Sequence, residues 1–123
     1  MRTMLQLYLK GCDEAIEFYK KAFNATEETV YARDPESNVI LHAEIKAFDQ
    51  WIAFMERNSE TVVGNTMQFC FDFGEGNEET VKKAYEVLKD GAQIDTPCGT
   101  SFDWSPCGFS LIDKFGVSWI FFV

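Results

Sequence analysis

The chain is written twice, and that duplication limits what it can fold into more than any other feature. Leu5, Leu7 and Leu9 alternate with Gln6, Tyr8 and Lys10, so residues 4–10 read as a half-buried strand. Over residues 13–23, Ala15, Ile16, Tyr19, Ala22 and Phe23 recur as the stripe of an amphipathic helix. Asp13 and Glu14 suit the positive end of its dipole and Lys20 and Lys21 the negative end, while Asn24 can stop it in the left-handed conformation. Strands are then expected over 27–33, 39–46 and 50–55, separated by "DPESN" and the short turn "AFD". The second half repeats the order. Residues 67–73 are apolar and aromatic, "GEGN" is a loop, and 78–89 form a helix with the stripe Val81, Ala84, Tyr85 and Leu88. Asn77 is placed to cap it and Gly91 lies just past its end. Three short strands follow near 93–96, 109–112 and 117–122. Aligning strand on strand offsets Met4 from Gln68 by 64 residues and Ala53 from Ile120 by 67, which marks an internal structural repeat.

The reading is an α+β chain of 123 residues forming a single domain, made of two β-α-β-β-β repeats over about 1–60 and 65–123. Each unit covers one face of its sheet with a helix and leaves the other open, so two open faces can enclose a concavity and carry the function. Hydrophobic residues at 46% and twelve phenylalanines argue for a filled core or an aromatic-lined pocket rather than disorder. Eleven basic against twenty acidic residues give a net charge of −9, which disfavours nucleic acid and anionic membrane surfaces as partners. The apolar run in "MRTMLQLYLKG" is too short for a signal or transmembrane helix, so a cytoplasmic protein is expected. Cys12, Cys70, Cys98 and Cys107 show no C-x-x-C pair, so no zinc cage is spelled out and reduced thiols are expected; a Cys98–Cys107 bridge is open if "TPCGT" and "SPCGF" pair.

"YLKGCDEAIEFYKKAFNA", "HAEIKAFDQWIAF", "GN" before an aromatic strand, a helix ending "KDGA" and "WSPCGFSLIDKFGVSW" together resemble the vicinal oxygen chelate superfamily of glyoxalase I, bleomycin-resistance proteins and extradiol dioxygenases. The chain looks most like its PhnB-like branch, and the most specific pieces are "DEAIEFYKKAF" and "DKFGVSW". The resemblance implies paired βαβββ modules in a curved mixed sheet around a concave cavity, usually in a homodimer. Metal-using members place one ligand, typically His, Glu or Gln, on each of four strands to hold a divalent ion that polarises two vicinal oxygens of a substrate. Carried over, those positions are Met4, Ala53, Gln68 and Ile120. Alanine and isoleucine have no donor atom and a thioether suits hard ions poorly, so Gln68 alone could coordinate and no metal or other cofactor is expected.

Among the remaining polar residues, His42 and Glu44 share the strand face opposite Leu41, Ala43 and Ile45. A hydrogen-bonded structural histidine is one reading of His42; a ligand-binding or acid/base role is the other. Gln6, Tyr8, Gln68, Cys70 and Asp72 should face the concave side, with Asp72 a candidate base and Gln68 an orienting donor. Trp51, Trp104 and Phe109 are candidate aromatic contacts, set against core or dimer-interface roles, with Trp104 placed on a lid-like loop "SFDWSPCG". The expected function is metal-free binding of a small, partly apolar organic ligand. Set beside it are a metal-free lyase or isomerase using His42, Glu44 or Asp72, and a drug-sequestering resistance protein whose acidity would favour cationic drugs.

Overall fold

The protein was analysed as a computed structural model that describes every residue except Asp103, with the side chains of Thr100 and Ser101 also set aside. Its elements run β1 (Leu5–Leu9), α1 (Cys12–Phe23), β2 (Glu27–Arg33), β3 (Ile40–Ala47), β4 (Gln50–Glu56), β5 (Phe69–Asp72), α2 (Glu78–Leu88), β6 (Gln93–Phe102), β7 (Ser105–Ile112) and β8 (Ser118–Phe122). They fall into two compact units, Met1–Thr61 and Val62–Val123. Each unit is a βαβββ module with a four-stranded mixed sheet, ordered β1-β4-β3-β2 in the first and β5-β8-β7-β6 in the second. The first strand of each module pairs parallel with its last, and the other neighbours are antiparallel. Leu5 lies opposite Ile52 and Phe69 opposite Trp119, which reproduces the 64- and 67-residue offsets of the sequence repeat. No helix among the described residues is long and apolar enough to cross a membrane.

In the first module the helical stripe does what its spacing demands. Ala15, Ile16, Tyr19, Ala22 and Phe23 are all buried, and Tyr19 lies 5.9 Å from the Phe54 ring on β4. The strand residues of matching parity, Leu7, Leu9, Ala43, Ile45, Ile52 and Phe54, complete this core. Asn24 ends α1 at φ 51°, as its side chain allows. The start of α1 is less orthodox, because Gly11 occupies the cap position and has no side chain to offer. Glu56, at the far end of β4, supplies the missing acceptor: its carboxylate takes the Gly11 and Cys12 N–H groups at 2.8 and 3.0 Å. Burial, and after it the same carboxylate, pushes the Cys12 thiol up to about 12. Glu56→Ala should therefore destabilise the fold by about 1 to 2 kcal/mol, the usual range for losing a helix cap, measured by urea unfolding.

The β3–β4 hairpin turns through Phe48 and Asp49, both left-handed at φ 53° and 60°. Phe48 is held there by its ring, 5.5 Å from Phe23. The equivalent β7–β8 connection is longer and is built around one buried carboxylate. Asp113 Oδ1 accepts the Phe115 and Val117 N–H groups at 2.9 and 3.1 Å, and Oδ2 accepts the indole N–H of fully buried Trp119 at 2.8 Å. The aspartate and tryptophan of "DKFGVSW" thus form one structural device, and β8 is core on the side where Trp119 and Phe121 lie.

In the second module Val81, Ala84 and Leu88 are buried and Tyr85 packs on Phe109 at 5.1 Å. Asn77 holds the cap position, but its side chain donates backwards to the carbonyl of Phe73 at 2.6 Å rather than accepting from the helix. Strands β6 and β7 are longer than the sequence pattern predicts, β6 running to Phe102 and β7 starting at Ser105. Pro97, Gly99 and Pro106 read as chain breaks, yet the ladder absorbs them through shifts of register between Ile94 and Phe102. Gly108 lies inside this ladder for a steric reason. A Cβ there would sit 2.4 Å from Phe102 Cε2 and 2.7 Å from the carbonyl oxygen of Phe121.

Candidate functional site

The open face of the first sheet, opposite α1, is where chemistry-bearing side chains gather. Strand alternation puts Gln6 and Tyr8 of β1, His42, Glu44 and Lys46 of β3, and Trp51, Ala53 and Met55 of β4 on this side. Gln6, Ala53, Glu44 and Thr29 form one row across the four strands. At the centre of that row Glu44 is the unusual residue, since its side chain is only 6% exposed and it is a carboxylate on a strand.

Two groups compensate it. Arg2 Nη2 donates to Glu44 Oε1 at 3.1 Å, and His42 Nε2 lies 3.0 Å from the same oxygen. With the proton on Nε2, the imidazole donates to the carboxylate and its Nδ1 is left as an acceptor. The His42 ring lies 5.5 Å from that of Tyr31 on β2. Glu44 Oε2 accepts from no described residue. Ser118 Oγ is the one fully enclosed side-chain polar atom among the described residues that lacks a partner, so Oε2 is not fully enclosed. Around this centre lie aromatic rings with basic groups over them: the Arg57 guanidinium 4.2 Å from the centre of Tyr8 and Lys46 Nζ 5.6 Å from that of Trp51. Arg57 also donates to the Tyr8 carbonyl at 3.0 Å.

His42, Glu44, Gln6, Tyr8 and Trp51 therefore share one face, while the other candidates belong to the second module. Gln68 is exposed and precedes β5. Asp72 is exposed, and its carboxylate folds back to accept the Gly74 N–H at 2.9 Å, a turn-forming bond that draws it away from a base role. Phe109 is fully buried on the α2 side, against Tyr85 and Phe121, so a ligand contact there is corrected to a core contact. Trp104, just before β7, is 63% exposed and stacks on Phe102 at 4.8 Å. All four cysteines are free thiols, and burial and the neighbouring Cys107 hold the Cys98 thiol above its ordinary range.

Arg2 and Arg57 carry no periodic signal and were not among the candidates. Both are recruited by contacts across more than forty residues of chain.

The donor set does not fit a divalent ion. Ala53 and Ile120 have no ligating atom, and the Met4 sulfur lies 2.8 Å from Arg2 Nη2. An ion near Met4 would meet a fixed positive charge, at about 4 kcal/mol per unit charge at 4 Å near a protein surface. No group of three or more His, Cys, Asp or Glu side chains suited to a metal occurs among the described residues.

No protein-family model matches the sequence, and no curated protein matches it. Solved structures do. A PhnB protein from Bacillus cereus, provisionally named a 3-demethylubiquinone-9 3-methyltransferase, is similar over 99% of this chain and 98% of its own at TM-score 0.80 and 22% identity. Protein PA1353 from Pseudomonas aeruginosa matches over 99% of this chain and 96% of its own, with TM-score 0.80 and 17% identity. The fosfomycin resistance protein FosX from Listeria monocytogenes, as an E126Q mutant complexed with Mn(II) and 1S,2S-dihydroxypropylphosphonic acid, matches over 99% and 90% at TM-score 0.71 and 18% identity. With its two βαβββ modules, this chain has the glyoxalase/bleomycin-resistance fold and is PhnB-like in structure.

Proposed function

We propose that the protein binds a small, partly apolar organic molecule on the open face of its first sheet, without a metal ion. The observation that carries this reading is the buried Glu44 carboxylate, held on one oxygen by Arg2 and His42 and accepting from no described residue on the other. Burying a carboxylate costs several kcal/mol unless it is paired, and the second oxygen leaves an acceptor open to a donor from outside the protein. Tyr8, Trp51 and Met55 supply apolar area beside it, the combination of a few polar anchors and a larger apolar lining that small-molecule sites use.

Indole, benzoate, benzylamine and benzamide titrated into 15N-labelled protein test this directly. The expected result is saturable shifts centred on residues 8, 42–44, 51 and 53, with affinities unchanged by EDTA or added Mn(II) and Zn(II). Shifts confined to other surfaces, or binding that requires a metal, would refute it.

The His42–Glu44 pair favours a second reading, metal-free proton transfer in which the carboxylate orients the imidazole and Nδ1 takes the proton. An enzyme of this kind should convert one of a panel of epoxides or hemithioacetals and lose about a hundredfold or more in kcat on His42→Asn. Turnover unchanged in that variant would remove the reading.

A further inference from the structure

We propose that Arg2 is a built-in cation of the first module's open face, and that with Glu44 Oε2 it receives a small 2-hydroxy carboxylate. The proposal rests on the open face being the ligand site and names the class of ligand it takes. Arg2 Nη2 touches Met4 Sδ at 2.8 Å and Glu44 Oε1 at 3.1 Å. Met4 precedes β1, and Glu44 lies directly across from Ala53 on β4. The guanidinium is thus held beside the two first-module positions at which metal-using relatives are expected to place ligands, and it brings positive charge there without a metal.

The chemistry of the two groups specifies the ligand. The Arg2 side chain is 56% exposed, and with Nη2 spent on Met4 and Glu44 its Nη1 and Nε N–H groups remain to give single, charge-assisted hydrogen bonds to a carboxylate oxygen. Glu44 Oε2 is an acceptor with no donor from any described residue, on a side chain more than nine-tenths buried. A molecule that satisfies both carries an anionic carboxylate oxygen and, on the neighbouring carbon, an O–H. Lys46 and Arg57 flank the same face, so a monoanion is drawn in despite the net charge of −9. An anion that covers Oε2 without a hydroxyl would displace its water and give no donor in return, which penalises it.

Glycolate and acetate differ by that hydroxyl alone, and each can be titrated into the 15N-labelled full chain. Glycolate should bind about tenfold more tightly than acetate, with shifts centred on residues 2, 42–44 and 53. Arg2→Gln should weaken glycolate by about tenfold or more, Arg2→Lys by less, and Glu44→Gln should bring the glycolate-to-acetate ratio towards one. Equal affinity for the two acids in the unmodified protein, or unchanged glycolate binding in Arg2→Gln, overturns the assignment. Should Glu44→Gln fail to fold, the unmodified ratio and the two exposed Arg2 variants still decide the matter. If the aromatic probes shift this face while glycolate does not, the ligand class is wrong and the general site stands; if neither shifts it, both fall.

Discussion

Asp113→Ala is expected to destabilise the protein by about 3 to 5 kcal/mol, because it strips acceptors from two backbone N–H groups and an indole N–H in one step. Trp119 is fully buried, so its N–H has no solvent to turn to. For a chain of this length each kcal/mol moves the thermal midpoint by roughly 3 to 5 °C, giving a fall of about 10 to 20 °C by calorimetry or circular dichroism. Trp119→Phe isolates the indole bond. It keeps most of the ring packing but removes the donor to Oδ2, and should cost about half as much. A fall of less than 3 °C in Asp113→Ala would show that the buried carboxylate does not organise the β7–β8 turn.

Gly108→Ala should cost about 2 to 3 kcal/mol through overpacking alone. The added methyl would lie 2.4 Å from Phe102 Cε2, 2.7 Å from the Phe121 carbonyl and 2.9 Å from Phe122 Cβ. The Phe102 ring could swing aside, but the carbonyl belongs to the β8 ladder and cannot yield without disturbing the pairing of Gly108 with Phe122. Gly108→Ala combined with Phe102→Ala should therefore recover only part of the loss. Full recovery in that double variant would place the whole steric demand on the ring, and denaturant midpoints of the two proteins separate the cases.

The Gly108 effect falls where the sequence was hard to read, whereas the Asp113 effect lies in its clearest motif. Periodicity revealed both helices and the duplication, because a stripe such as Ala15, Ile16, Tyr19, Phe23 has only one way to be buried. It could not show the full length of β6 and β7. Pro97, Gly99, Pro106 and Gly108 punctuate a pattern that the ladder tolerates through register shifts and a close ring contact. Alternation did put His42 with Glu44 on one face of β3 and Gln6 with Tyr8 on one face of β1, but that these are the same face follows only from the β1-β4-β3 pairing. It did not place Phe109, although Ser110 alternates with Phe109 and Leu111 along β7. The Glu56 cap, the Arg2 contact to Glu44 and the Arg57 stack on Tyr8 join residues far apart in the chain. No local pattern signals them; they follow from β1 lying parallel beside β4, which brings both ends of the first module together.

The two modules solve the same hairpin differently. One anchors it with the Asp113 carboxylate, and the other bends through Phe48 and Asp49 in a backbone region where L-residues are uncomfortable. The Phe48 ring has its aromatic neighbour to hold it, whereas exposed Asp49 occupies a place that glycine would fill with greater ease. The first half of the molecule thus keeps a latent margin of heat tolerance at a site remote from Glu44 along the strands, where a single-residue change could harden the scaffold while leaving its polar centre untouched.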